Sequence, residues 1–311
     1  MTLFKRIAWR LLAGVGVLWC TVTLAFVAFH LIGDDPVVTI LGGEDAQPSK
    51  EMIALVRKEY GLDRPLSVQY AQYLWRAVHG DLGQSYRLHI PVARAISQQL
   101  MPTLSLMFSA TLVSVFLAVA LALLTAKRAP WIRSFSSGVE LVISSAPAFV
   151  LGTLLLLAFS FQLNWLPSFG TSGWETIVLP TLALALPIVA VLTQVLRQEL
   201  EDILELPFIV TARARGLSET RVRLGHALRH ALIPLLTLSG FIFASLLGGA
   251  VIVETLFSRQ GIGRLMVEAT GNKDVPMVLG ITELSALIYV VVNLIVDLLY
   301  AVVDPRVKGA V

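Results

Sequence analysis

Chemistry in this chain would have to come from a few histidines and a few charges placed among apolar residues. His226 and His230 are four residues apart, a spacing that puts two imidazoles on one helical face and is one geometry for a metal site. No carboxylate lies between them, so the favoured role is in an interface or in packing. His30, His79 and His89 are solitary, and lone histidines are structural more often than they are ligands. Glu140, Glu283 and Asp297 fall inside apolar segments, and Glu254 falls at the edge of one. A charge in lipid is costly, so each is expected to face a partner helix or an aqueous path, with Glu140 near enough to the inner surface to be solvated. Asn293 and Asp297 are again four apart and can share a face of the last span, in packing and hydrogen bonding or in a substrate contact. The phosphate cradle G-x-x-x-x-G-K-[ST] is missing, as are H-E-x-x-H and G-x-S-x-G. No catalytic set and no metal site is therefore assigned. The single cysteine, Cys20, can build neither a disulfide framework nor a Cys-based zinc site.

The elements that must hold these groups are membrane helices. Of the 311 residues, 56% are apolar and 14% charged, with a mean hydropathy of +0.77, against roughly 45 to 50% and 25% in an average soluble domain. Disorder is excluded, and a soluble two-domain chain, which length alone would allow, is hard to reconcile with these values. Six segments can each cross about 30 Å of hydrocarbon: Leu11 to Ile32, Thr103 to Ala126, Ser137 to Leu163, Ile177 to Leu196, Ala231 to Val253 and Met277 to Val303. The first follows Lys5, Arg6 and Arg10, yet its apolar stretch is too long for the core of a signal peptide, so it is read as a retained helix. With the N-terminus inside, the inner segments collect Lys127, Arg128, Arg133, Arg197, Arg213, Arg215, Arg221, Arg223, Arg229, Arg306 and Lys308 at higher density than the longer outer ones. Both termini are thus expected in the cytoplasm. The expected divisions are 1–32, a cytoplasmic N-terminus and first span; 33–102, an outer helical loop; 103–303, five further spans enclosing a loop at 197–230; and 304–311, a tail.

Two loops are more than connectors. The outer one holds a helix capped by Ser49 and stopped by Gly61, with Met52, Leu55, Val56 and Tyr60 on one face. Leu66 to Val78 follows as a second amphipathic stretch with Tyr70, Tyr73, Leu74 and Trp75. Their faces cover the tops of the membrane helices or form a docking platform. The inner loop reads as a helix from Pro207, a stop at Gly216 with positive φ, and a second helix capped by Ser218 with Glu219 at its positive end. Such an elbow is a small rigid knob that a soluble motor could grip, or an ordinary surface loop. In the fifth span, Gly240, Ala244 and Gly248, beside Ser245 and Gly249, form a small-residue face for close packing. Pro147, Pro180, Pro187 and Pro234 are expected to kink or end helices around a pathway.

The run Thr211-Ala-Arg-Ala-Arg-Gly216-Leu-Ser with His226-Ala-Leu-Arg-His-Ala-Leu-Ile-Pro234 resembles the "EAA" coupling loop of ABC importer permeases of the dipeptide, oligopeptide and nickel branch. Gly80-Asp-Leu-Gly-Gln-Ser85, Gly248-Gly249, Val253-Glu254-Thr-Leu-Phe257, Gly261-Ile-Gly263, Asn293-Leu-Ile-Val-Asp297 and Asp304-Pro-Arg306 extend the resemblance, in order, over nearly the whole chain. Pro207-Phe208 stands where that branch commonly has Asp-Tyr, His230 where Asn is frequent, and Arg259-Gln260 where Trp-Pro usually precedes the glycine.

The resemblance implies an all-α polytopic chain with the type I ABC importer permease fold, a helical periplasmic loop after the first span and a cytoplasmic coupling helix. It implies that Phe208, Thr211, Ala212, Arg213, Ala214, Arg215, Gly216, Leu217 and Ser218, with His226 and Arg229, meet an ATPase, the arginines offering fork-shaped donors to its carboxylates. Glu140, Gly240, Gly248, Gly249, Glu254, Glu283, Asn293 and Asp297 would belong to the pathway or to helix packing. Implied partners are a homologous second permease in a heterodimer, two cytoplasmic ATPase chains that use ATP and Mg, and a periplasmic or lipid-anchored binding protein. Membrane lipid is the remaining contact; no nucleic acid and no cofactor of the chain's own are implied. The location is the bacterial inner membrane, and the solute a small peptide or a nickel or other metal chelate. A transporter or channel working alone is the alternative; the sparse intramembrane charges offer it little.

Overall fold

The computed structural model describes residues 3–32, 37, 40, 41, 49–170 and 173–303. Asp304 to Arg306, Thr171, Ser172 and the Asp297 side chain lie outside the described residues, as does most of 33–48. Described residues form helices and turns without a strand; one isolated bridge joins Gln84 to Pro91. Helices α1 (Leu3–Ile32), α4 (Val92–Thr125), α7 (Glu175–Ile203), α9 (Leu228–Leu256) and α11 (Val275–Val303) are long and apolar enough to cross a bilayer. Shorter helices are α2 (Lys50–Glu59), α3 (Leu66–Val78), α8 (Pro207–Ala214) and α10 (Ile262–Gly271).

The third expected span is not one rod. Helix α5 (Pro130–Ser145) and helix α6 (Ala148–Leu155), which runs on as a π-helix over Leu156–Gln162, meet at a bend of 102°. Pro147 is the cause: it lacks a donor and forces Ala146 into extended backbone, φ −84° and ψ 126°. By contrast, Pro180, Pro187 and Pro234 end no helix. They sit inside α7 and α9, where packed neighbours tolerate a missing backbone bond.

The chain divides into two compact units, one of Met1–Pro102 with Gln260–Val290 and one of Thr103–Arg259 with Val291–Val311. In the first, Val92, Ala95, Ile96, Ile262, Ala269, Met277, Val278 and Ile281 form the apolar core. Its polar anchor is Asp274, 2% exposed. That carboxylate accepts from the Ser85 hydroxyl and from the Tyr86 and Arg87 amides at 3.1 and 3.3 Å. Ser49 caps α2 as expected, accepting from the Met52 amide at 3.2 Å. Only Val56 of the expected α2 face is buried, whereas Met52 and Leu55 are exposed, as is Trp75 on α3. In the second unit, one cluster gathers Leu192, Leu196, Leu200, Ile203 and Leu204 with Ile209, Ala212, Val222, Ala227 and Ala231. Another gathers Leu106, Met107, Leu179, Ala183, Leu246 and Phe257.

Candidate functional site

The elbow begins where α7 ends. Leu206 is extended (φ −69°, ψ 148°) and Pro207, its φ already helical, opens α8. Ile209 and Ala212, three apart, turn inward onto the cluster that holds Ile203, Leu204 and Val222. That leaves Phe208, Val210, Thr211, Arg213, Ala214 and Arg215 exposed. Ala212, expected in a partner contact, is thus spent on the core, because a helix this short needs an inward face to stay folded. The helix closes by a Schellman motif: Gly216 N–H bonds the Arg213 carbonyl at 2.9 Å and Leu217 N–H the Ala212 carbonyl at 3.4 Å. Gly216 has φ +80°, and a side chain there would meet nothing within 4 Å. Its requirement is therefore conformational rather than spatial.

Beyond the turn, Ser218 occupies the N-cap position but its hydroxyl caps nothing, contrary to expectation. Glu219 orients this turn instead. The Arg213 guanidinium donates to both of its carboxylate oxygens, at 2.6 and 3.4 Å, and Arg223 approaches at 3.8 Å. The hydrogen bond from Arg213 holds the Glu219 carboxyl below the usual range and raises the arginine in return. Arg213 also donates to the Leu204 carbonyl at 3.4 Å. Its fork is thus occupied within the chain, so Arg215 is the free cation on α8; neither it nor Arg229 has an ion pair among the described residues. Arg223, which local sequence did not single out, donates to the Leu123 and Ala126 carbonyls at the end of α4, at 3.1 and 2.9 Å.

After one α-turn, Val222–Ala227 is wound as a π-helix before α9 starts. This interrupts the α-helical register that would have put His226 and His230 on one face. Both are exposed, and the His230 ring lies 5.2 Å from that of Phe208, making His230 part of the elbow. Among the described residues no three His, Cys, Asp or Glu side chains gather.

The expected pathway residues scatter. Glu140 is not solvated: it is 5% exposed and held bidentate by Arg197 of α7 at 2.7 and 2.8 Å, with Ser136 donating at 2.6 Å. Glu254 is fully buried and accepts from the Thr103 hydroxyl at 2.6 Å. Glu283, half-buried in the first unit, accepts from Tyr73 at 3.2 Å. Burial, then that carboxylate, raises the Tyr73 hydroxyl above its ordinary pKa. A Cβ on Gly240 would lie 2.0 Å from Val296, so α9 and α11 touch there, and one on Gly249 would lie 3.2 Å from Leu184. Gly248 faces open space, and Asn293 is half-buried. Among the described residues, Glu140, Glu254 and Glu283 are each held in a contact of their own; the elbow is the coherent site.

The family described as "Binding-protein-dependent transport system inner membrane component" matches residues 114–309, and its N-terminal companion matches residues 3–107. Over 301 residues the chain is 38% identical to the glutathione transport system permease protein GsiC of Escherichia coli (strain K12), covering 96% of this chain and 97% of that one. The protein of the same name from Salmonella typhimurium (strain LT2) is 37% identical over equal spans. Among solved structures, the inward-facing MetNI methionine ABC transporter is similar at a TM-score of 0.56 and 16% identity, covering 67% of this chain and 96% of that one. An amino acid ABC transporter with histidines gives 0.50 and 20%, over 68% and 94%. These two likenesses bear on the fold.

Proposed function

The chain belongs to the family of binding-protein-dependent transport system inner membrane components, and from that premise we propose that its elbow seats a motor ATPase and that its solute is a small peptide of the glutathione type. It is the permease subunit of an ABC importer. In this reading it pairs with a homologous second permease, two cytoplasmic ATPase chains use ATP and Mg, and a binding protein delivers solute from the outer side. Both termini lie in the cytoplasm of a bacterium. The chain itself holds no cofactor and makes no covalent intermediate. Its work is alternating access: closure of the motors displaces α8, and α8 tilts the spans. Driving such an equilibrium from 1:99 to 99:1 takes about 5.5 kcal/mol of differential binding, so the joint must be firm.

One observation carries this reading: α8 is anchored from within by Ile209 and Ala212 while Phe208, Thr211, Ala214 and Arg215 stand exposed around it. An aromatic and an arginine on a rigid knob are the residue types that dominate interfaces. The small Ala214 beside them permits close approach. With the two ATPases titrated onto the purified permease pair, Phe208→Ala combined with Arg215→Ala lowers affinity about tenfold or more, the loss expected when interface anchors are truncated. Unchanged affinity rejects the elbow as the seat. The solute is tested by calorimetry on the partner binding protein: glutathione and dipeptides bind, whereas binding of nickel chelates alone rejects the peptide assignment.

A further inference from the structure

Helix α7 and the turn after it carry Arg197, Glu201 and Glu205 at four-residue intervals, a single stripe that ends at the elbow. Each meets an opposite charge between Lys127 and Glu140. Arg197 holds Glu140, Glu201 holds Arg133 at 3.2 Å, and Glu205 holds Lys127. The Arg197–Glu140 pair is the buried one, with both side chains 6% exposed. Ser137 and Ser136 accept further bonds from the same guanidinium at 3.0 and 3.3 Å, so its donors are largely satisfied. The outer two pairs have an exposed partner and contribute correspondingly little.

The elbow is fastened to the same helix. Arg213 bonds the Leu204 carbonyl, Leu206 N–H bonds the Ile203 carbonyl at 3.0 Å, and Ile209 shares the apolar cluster of Ile203 and Leu204. Displacing α8 therefore displaces the end of α7, and the stripe passes the displacement to α5. Beyond α5 comes the 102° bend into α6. We propose that Arg197 and Glu140 are positioning residues for transport: their buried bidentate pair clamps α5 to α7, so that elbow movement is delivered to the bent α5–α6 pair. A buried ion pair is not needed for packing, since apolar replacement of both partners is often neutral or stabilising. A directional, two-bond clamp is what the charges add.

This inference rests on the elbow being where the ATPase acts, and the test separates the two. The full transporter, with both permeases, the ATPases and the binding protein, is reconstituted in liposomes, and uptake and ATP hydrolysis are measured together. Glu140→Met with Arg197→Met keeps membrane yield, ATPase assembly and basal hydrolysis, while solute moved per ATP falls about tenfold, the size of an ordinary coupling energy. Exchanging the charges, Glu140→Arg with Arg197→Glu, recovers part of that loss. Wild-type solute per ATP in the apolar pair overturns the clamp alone. If the apolar pair is poorly retained, Arg197→Lys, which keeps the charge but loses the two-bond fork, gives the same readout at smaller amplitude, and an unchanged ratio there also overturns the clamp. Unchanged ATPase affinity in the Phe208 and Arg215 variant overturns the elbow reading, and this inference with it.

Discussion

Helix α2 of the first unit and helix α8 of the second end in the same way. Gly61 N–H bonds the Lys58 carbonyl at 3.4 Å and Leu62 N–H the Arg57 carbonyl at 2.8 Å, with φ +67° at the glycine, which repeats the closure at Gly216. What surrounds the two closures differs. The loop region containing α2 and α3 is tied down by Asp274, a buried carboxylate reached by three donors from 85–87. The elbow has its carboxylate, Glu219, on the surface between two arginines. A Cβ at Gly61 would meet the Arg64 side chain at 3.7 Å, whereas one at Gly216 would meet open space. The same backbone device therefore serves a scaffold in one place and a presented surface in the other. The surroundings, not the motif, decide which.

Four substitutions sharpen or break this contrast. The largest effect is expected from Asp274→Ala, which strands the Ser85 hydroxyl and the Tyr86, Arg87 and Met277 amides without an acceptor. At about 1–3 kcal/mol for each buried group left unsatisfied, thermal unfolding in detergent drops well below wild type; a variant of unchanged stability would mean that the anchor is dispensable. Next come Gly61→Val and Gly216→Val. Both force a β-branched residue into positive φ at a similar cost, about 1–3 kcal/mol, but uptake in proteoliposomes is lost only at Gly216. Equal loss of uptake at both glycines would erase the distinction. The smallest effect belongs to Glu219→Gln, which removes an exposed pair contributing about 0–1 kcal/mol. Its pH dependence has a definite sign. The folded carboxyl has a lowered pKa, so the pair's contribution is complete above the unfolded value, about 4.3, and disappears as pH falls through the folded value beneath it. ATPase binding is therefore flat from pH 8 to pH 5 on this account, and a mid-range step assigned to Glu219 would contradict it.

Local signals in the sequence reach as far as local structure does. Ser49, Gly61, Pro207 and Gly216 act where they stand, through caps, fixed φ or positive φ, and each does in the structure what its type predicts. Apolar runs reveal membrane helices for the same reason, since one segment satisfies its own backbone. Pro147 illustrates the limit: it breaks a helix, while Pro180, Pro187 and Pro234, identical in chemistry, do not. The difference comes from neighbours that a linear pattern does not name. Arg197 finds Glu140 across 57 positions and Ser85 finds Asp274 across 189. No periodicity announces such pairings. Arg213 was legible as an elbow residue, but not as one already bound to Glu219. Ser218 had the right type for a cap and did not make the bond.

Because the shape of the elbow is set by main-chain bonds, by two inward residues and by the Arg213–Glu219 pair, its other outward residues are left nearly free of folding duty. Phe208, Ala214 and Arg215 can be exchanged with little risk to the scaffold beneath them. A permease built this way can be re-matched to another ATPase by altering its handshake alone, a modularity that a knob shaped by its own surface side chains would not have.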